Sequence, residues 1–312
     1  MGTQGFSPRT RTEAQLVRFD DPVARVAVRG RRGDAPVAIE VTIEPGADGK
    51  RATLNGAPLR AAEQLRAETA TLVFTPDRLG IVKGAPAARR AYFDRVLGRL
   101  LPARAGLSAE YGAAVAQRNA ALRRVAAGVS SRDAVAPWTE QVAGLGGELV
   151  AARVGVLASL EPAFAERAGE LGLTAAGLRY HGEPPTRDAL EDRLDRDLDR
   201  GATSLGPHLH DVVLISAGRE LRSFGSQGEQ RVAVLALLLA EAQLIAERRG
   251  IAPLLLLDDV LSELDPGRRA ILASRVSVGG QTLITATDAA MLPAEPAQLL
   301  EVSLGRVDDR AH

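Results

Sequence analysis

The sequence predicts an α/β protein built from an antiparallel β segment, an inserted all-helical module and a closing parallel sheet. Three changes of period carry that prediction. Apolar residues recur at every second position across residues 23–74 and at helical spacing across residues 85–200; after Gly206, short apolar strands alternate with helices. The first pattern is that of half-buried antiparallel strands, the last that of strands covered on both faces by helices.

The elements follow in order. Val37-Ala38-Ile39-Glu40-Val41-Thr42-Ile43-Glu44 alternates apolar with polar or small residues and reads as a strand. Asn55-Gly56 marks a hairpin turn, and residues 70–74 form a further short strand closed by Thr75-Pro76-Asp77. Pro86 suits a first helical turn, and Phe93, Val96, Leu97, Leu100 and Leu101 make the stripe behind it. Leu107, Tyr111, Val115, Leu122 and Val125 mark a second helix, ending near Gly128. A third runs from Pro137 to about Leu171, with a break expected at residues 144–147, and Leu190, Leu194 and Leu198 lie on a fourth. No heptad is sustained, which excludes a long coiled coil. Beyond Gly206 come a strand at 212–215, a long helix at 226–249 stopped by Gly250, and an apolar strand at 254–257. A helix from about Asp265 and a strand at 282–287 complete the pattern. Residues 1–84 and 201–312 are thus expected to form one lobe and residues 85–200 a second.

Composition sets limits. The 312 residues carry 39 basic and 39 acidic side chains, so no global field draws the chain to nucleic acid or membrane. Cysteine is absent, which excludes disulfides and thiolate metal sites. Residues 1–15 lack the apolar core of a signal peptide, and no apolar run of transmembrane length is read, so a cytoplasmic protein without membrane partners is expected. Lys50 and Lys83 are the only lysines, so arginine density alone is a poor sign of DNA binding here.

Chemistry concentrates in the last third. Residues 254–257 end in Asp258-Asp259, beyond the carboxyl end of a strand, where open α/β sheets bind ligands. One carboxylate there can hold Mg²⁺ beside nucleotide phosphates and a second can orient the attacking water. Taken singly, the pair is also a solvated acidic turn. Ser226-Gln227-Gly228-Glu229-Gln230-Arg231 opens the long helix. Ser226 with Glu229 is a capping box, while Gly228 permits a close approach to a helix N-terminus that attracts phosphate. Ser262-Glu263-Leu264-Asp265 and a strand ending Thr285-Ala286-Thr287-Asp288 follow.

In that order the four segments resemble the signature motif, Walker B, D-loop and switch strand of ABC-type ATPase heads. Other segments narrow the resemblance to the RecF family. They are Ser7-Pro8-Arg9-Thr10-Arg11 with Ala14-Gln15-Leu16-Val17-Arg18, Val73-Phe74-Thr75-Pro76, Val82-Lys83-Gly84-Ala85-Pro86 with Arg89-Arg90 and Phe93-Asp94, and Gln117-Arg118-Asn119. Gly225 with the signature run, and Leu257-Asp258-Asp259-Val260-Leu261-Ser262-Glu263-Leu264-Asp265, are similar to that family too. The resemblance implies an ABC-type head with an antiparallel β subdomain and an inserted helical lobe. It implies ATP and Mg²⁺ as cofactors and slow, DNA-dependent hydrolysis serving as a switch. It further implies an ATP-dependent dimer acting at single-strand gaps in DNA with RecO and RecR to load RecA, in recombination, replication and the SOS response.

By the same resemblance Asp258 is the Mg²⁺-associated acid and Asp259 the catalytic carboxylate. Ser226, Gln227, Gly228, Glu229 and Gln230 face the nucleotide held by a partner copy, Asp265 joins the dimer contact, and Thr287 and Asp288 lie near the γ-phosphate. DNA phosphates are expected on Arg89, Arg90, Arg95 and Arg99 of the first lobe helix and Arg118, Arg123 and Arg124 of the second. Two departures stand out. Gly206-Pro207-His208-Leu209-His210-Asp211 has Leu209 and His210 where the family pattern has an arginine and an acid. Neither lysine lies in a Gly-Lys-Ser/Thr, so the sequence contains no phosphate-binding loop. A wrongly assigned start or a fragmentary gene is the expected reason, with a chain that binds no ATP as the other. Three readings follow: a RecF repair ATPase, a non-enzymatic DNA-binding or adaptor protein on a RecF scaffold, and an ABC transporter subunit, which the short helical insert disfavours.

Overall fold

The computed structural model describes residues 12–44, 50–59, 70–276 and 280–309. Strands β1 (Ala24–Arg32), β2 (Ala35–Ile43), β3 (Lys50–Leu54) and β4 (Ala57–Leu59) form an antiparallel meander in that order. Val28, Ile39, Val41, Ala52 and Leu54 share its apolar face, as a period of two requires. The β3–β4 turn puts Asn55 at φ 49° and Gly56 at φ 82°, the pair of positive angles a two-residue type I′ hairpin needs. Asn55 also ties the turn to β2, its Oδ1 accepting from Ala38 N at 2.8 Å.

The next strand, β5 (Thr71–Phe74), leaves the meander. It pairs in parallel with β9 (Leu254–Asp258), Phe74 opposite Leu257, and β9 pairs in parallel with β10 (Thr282–Thr285). All four β5 residues are buried, as expected of a strand packed on both faces. The period-two block therefore divides between two sheets, a division that four residues of alternation are too short to reveal.

After a short helix α1 (Gly80–Lys83) come α2 (Pro86–Leu100), α3 (Leu107–Ala126) and α4 (Ala136–Glu170). The expected break in α4 is absent: it is one helix of 35 residues. Gly146 serves packing instead, since a Cβ there would lie 2.5 Å from Pro185 Cγ and 3.2 Å from Tyr111 Cε2. The stretch Arg132–Glu170 is long and apolar enough, by length and composition, to cross a membrane, yet α4 packs against α3 and the long helix α8 (Gln227–Arg249) and supplies much of the core.

Between α4 and the parallel sheet the chain departs again from the expected pattern. A strand β6 (Gly177–His181) interrupts the helical segment and pairs antiparallel with β7 (Asp211–Ser216), which also pairs with β8 (Arg219–Glu220). The strand read at 212–215 thus belongs to a separate antiparallel sheet, not to the parallel one. The expected fourth helix is two, α5 (Arg187–Glu191) and α6 (Leu194–Arg200). Leu190 joins the main core, while Leu194 and Leu198 cover a smaller cluster of Ala121, Leu122 and Val135. The four-residue α7 (Leu221–Phe224) leads into α8, which is apolar around its whole circumference from Val232 to Ala240 and accordingly buried there. Helix α9 (Pro266–Val276) connects β9 to β10, and the hairpin β11 (Leu300–Ser303) with β12 (Arg306–Asp309) follows.

Candidate functional site

Parallel pairing brings the carboxyl ends of β9 and β10 together, Asp258 opposite Thr285. Thr285 Oγ1 donates to Asp258 Oδ1 at 2.7 Å and accepts from Asp259 N at 3.0 Å. One hydroxyl therefore orients the exposed Asp258 carboxylate and pins the turn after it. Asp259 has φ 49°, a left-handed angle that costs a non-glycine residue about 1 kcal/mol and that aspartate tolerates better than most. Ser262 Oγ donates to its carbonyl at 3.0 Å, which helps hold this conformation.

Asp265 caps the next helix, its Oδ1 accepting from Arg268 N at 3.0 Å, and this amide holds the exposed carboxyl below the usual aspartate range. Asp288 plays the same part for the turn Ala289–Met291, accepting from Ala290 N at 2.8 Å, and Thr287 is exposed beside it. Asp258, Asp259 and Asp265 thus follow the β9 end, while Thr287 and Asp288 follow the β10 end next to it.

Helix α8 opens with the predicted capping box. Glu229 N donates to Ser226 Oγ at 3.2 Å and Ser226 N donates to Glu229 Oε2 at 2.7 Å. The Ser226 amide and hydroxyl hold the Glu229 carboxyl below its ordinary range. Ser226, Gln227, Gly228 and Glu229 are exposed. A Cβ on Gly228 would come no nearer to the rest of the chain than 4.0 Å, to Ser226 Oγ, so nothing inside the fold demands glycine there. Gln230 lies differently from its expected place at the ligand face. It is buried beneath the cap, and its Nε2 donates to Leu221 O at 2.7 Å and Gly225 O at 3.0 Å, clamping the preceding turn. The side-chain bonds of Ser226, Glu229 and Gln230 stay local, within residues 221–230.

The seven arginines expected on DNA divide sharply. Arg89, Arg99 and Arg118 are buried, which corrects their placing at a DNA surface: long-range partners draw them into the core. Arg89 forks onto Asp211 (Nη2–Oδ2 2.6 Å), Arg99 binds Glu241, and Arg118 binds Asp197 at 2.7 Å. Burial pushes the Asp211 carboxyl up, but the Arg89 fork outweighs it and holds the group below its ordinary range. Arg90 is half-buried and donates to His210 O at 2.6 Å. Arg95, Arg123 and Arg124 are exposed. In the departing segment Leu209 is exposed, whereas His210 is buried against Tyr180, whose hydroxyl meets His210 Nδ1 at 2.8 Å. Burial drives the His210 imidazole down to about 4, so it is neutral near pH 7. Thr285 is the site residue that sequence reasoning missed; its place opposite Asp258 depends on strand register, which no local pattern encodes. Ser7, Pro8, Arg9, Thr10 and Arg11 lie outside the described residues.

No protein-family model matches the chain. It is 35% identical over 297 residues to the DNA replication and repair protein RecF of Heliobacterium modesticaldum, covering 91% of this chain and 80% of that one. Identity to the RecF of Anaeromyxobacter dehalogenans is 39% over 306 residues, covering 91% and 79%. Among solved structures, one of the recombination mediator protein RecF with ATPrS superposes at TM-score 0.86 and 25% identity, over 99% of this chain and 86% of that one. The head domain of Smc from Pyrococcus yayanosii shares the fold at TM-score 0.51 and 13% identity, over 93% of this chain and 83% of that one. The ordered acidic edge, the capped helix start and the inserted helices sit within an alignment that spans nearly all of the chain, and on this ground the chain belongs to the RecF family of DNA replication and repair proteins.

Proposed function

We propose that the chain works in DNA recombination and repair as one partner of an ATP-operated dimer at single-strand gaps, together with RecO and RecR in promoting RecA loading. The observation that carries this reading is the open helix start: Gly228 is a glycine that the chain's own packing does not require, on a helix whose first-turn amides attract anions. An approaching phosphate group gives that glycine a purpose. Ser226, Gln227 and Gly228 then face a nucleotide held by the partner copy, Glu229 fixes the cap, and Gln230 supports the turn from behind.

Within the 312 residues no Gly-Lys is followed by Ser or Thr, so the chain's own phosphate cradle is lacking and it supplies the partner-facing half of a site. Asp258 suits Mg²⁺, which binds through one or two carboxylates plus nucleotide phosphates; among the described residues no cluster of three or more His, Cys, Asp or Glu forms an all-protein site. When bound, the cation neutralises phosphate charge. Thr285 keeps Asp258 aimed past the strand end, and Asp259, held in its turn by Ser262 and Thr285, is the group to orient or deprotonate water. Asp265 lies at the dimer contact and Thr287 and Asp288 border the phosphate. Of the seven arginines expected on DNA, Arg95, Arg123 and Arg124, all in the helical lobe of residues 85–200, have the exposure to meet its phosphates. The other lobe comprises residues 1–84 and 201–312.

The test is sedimentation of an equimolar mixture of this chain with a RecF relative that carries Gly-Lys-Thr, with ATP and Mg²⁺. A mixed dimer is expected, lost on Ser226→Arg, which places bulk and charge where the helix meets phosphate. Equal dimerisation of both mixtures would overturn the reading.

A further inference from the structure

Glu241, in the middle of α8, is fully buried, and α2 occupies both of its oxygens. Tyr92 Oη donates to Oε2 at 2.9 Å and Arg99 Nε donates to Oε1. Arg95 lies one turn before Arg99 on the same face of α2. The turn Pro76–Leu79, which follows β5, packs against α8 and brings Arg78 to the same place. Arg99 is the arginine that bonds Glu241, and Arg78 and Arg95 lie near enough to this pair for its charges to act on both. Arg99 Nη2 is closed off from solvent with no acceptor among the described residues.

A guanidinium cannot shed its proton to relieve this, and native folds rarely keep a buried donor without a partner. Loss of solvation holds Arg78 below its ordinary value, and it does the same for Arg95, where the charges of Arg99 and Arg78 add to the effect. The position is telling as well. Phase of the parallel register sets Phe74 beside Leu257, so the Arg78 turn lies past the carboxyl ends of the strands, the side on which such sheets take ligands. Arg95 is exposed and Arg78 half-buried, which makes that flank the way in.

We propose that Arg78, Arg95 and Arg99 form a site for one phosphate-sized oxyanion, distinct from the start of α8 and independent of the nucleotide reading. The forked guanidinium geometry matches a tetrahedral oxyanion. A terminal or free phosphate offers three oxygens, whereas a phosphodiester offers two and carries a sugar on either side. The depth of Arg99 favours the compact group.

Thermal unfolding of the full chain in inorganic phosphate, against chloride at matched ionic strength and pH, tests the site. Phosphate is expected to raise the midpoint saturably. Arg95→Gln and Arg78→Gln are each expected to weaken the apparent affinity about tenfold or more, as loss of one charge-assisted hydrogen bond implies. The unfolding midpoint of each variant in chloride confirms that it is folded, and Arg95→Gln alters an exposed side chain. A short oligothymidylate added to the phosphate arm separates the sources. An unchanged phosphate response supports a free phosphate group; displacement in the parent chain but not in Arg95→Gln supports a phosphodiester at the same arginines. The proposal falls if phosphate and chloride act alike, or if both variants respond as the parent does.

Discussion

Arg118 offers the sharpest test of how the helical segment is held. Its side chain and that of Asp197 are both 0% exposed. Arg118 donates from Nη1 to Asp197 Oδ2 at 2.7 Å and Thr203 Oγ1 at 2.9 Å, and from Nε to Thr139 Oγ1 at 3.0 Å. Arg118→Ala would strand the buried Asp197 carboxylate, whose Oδ1 accepts from the Ser204 amide at 3.0 Å, without its charged partner. Removing one partner of a buried pair costs about 3–5 kcal/mol, most of it the penalty of the charge left behind. Replacing both, as Arg118→Met with Asp197→Leu, is expected to fall within about 1 kcal/mol of the parent, because neither desolvation penalty is then incurred. Urea unfolding of the three proteins compares the two costs. At a temperature where Arg118→Ala is folded, its affinity for gapped DNA should equal the parent's, whereas Arg123→Ala with Arg124→Ala should weaken binding. A cost below about 1 kcal/mol for Arg118→Ala would refute the buried-pair argument, and a specific loss of DNA affinity would return Arg118 to the interface.

Three further outcomes are expected. The chain alone should bind ATP·Mg²⁺ poorly in isothermal titration, and low-micromolar affinity would contradict the phosphate-loop argument. The Glu229 carboxyl has a folded value below its ordinary 4.5, so its stabilising contribution is present above that value and is lost as pH falls through the folded one. The difference in unfolding midpoint between the parent and Glu229→Gln should therefore shrink as pH is lowered from neutrality, and a difference that grows would reverse the sign. Gly146→Ala should destabilise the chain by about 1–3 kcal/mol in denaturant unfolding, since the new methyl meets Pro185 at 2.5 Å; no change would show that α4 and the Pro185 loop separate freely.

Local chemistry made much of this legible. The Asn55-Gly56 hairpin, the Ser226–Glu229 cap and the acidic end of β9 each follow from residues that touch within a few positions. What stayed hidden depends on contacts between distant residues. Thr71–Phe74 has the same alternation whether it pairs with the meander or with β9, and only burial of all four residues separates the cases. Gly146 reads as a helix break because its partner, Pro185, is 39 residues away in sequence (185 − 146). The arginines of α2 and α3 look alike in a helical stripe. Which of them face solvent is decided by Asp211, Glu241 and Asp197, none of which lies in either helix.

Helix α8 has a mechanical consequence. Its first turn stands in the open, while the stretch from Val232 to Ala240 is enclosed on every side and Glu241 is bolted to α2. A close-packed interior resists deformation, so a push at Ser226 has little room to dissipate as bending within the helix. The displacement must travel as movement of a rod, carrying α2 through Glu241 and α4 through their shared packing. Closing another molecule onto the capped end would thereby tilt the helical segment as a unit, converting a contact a few ångströms wide into a change of posture at the far arginines.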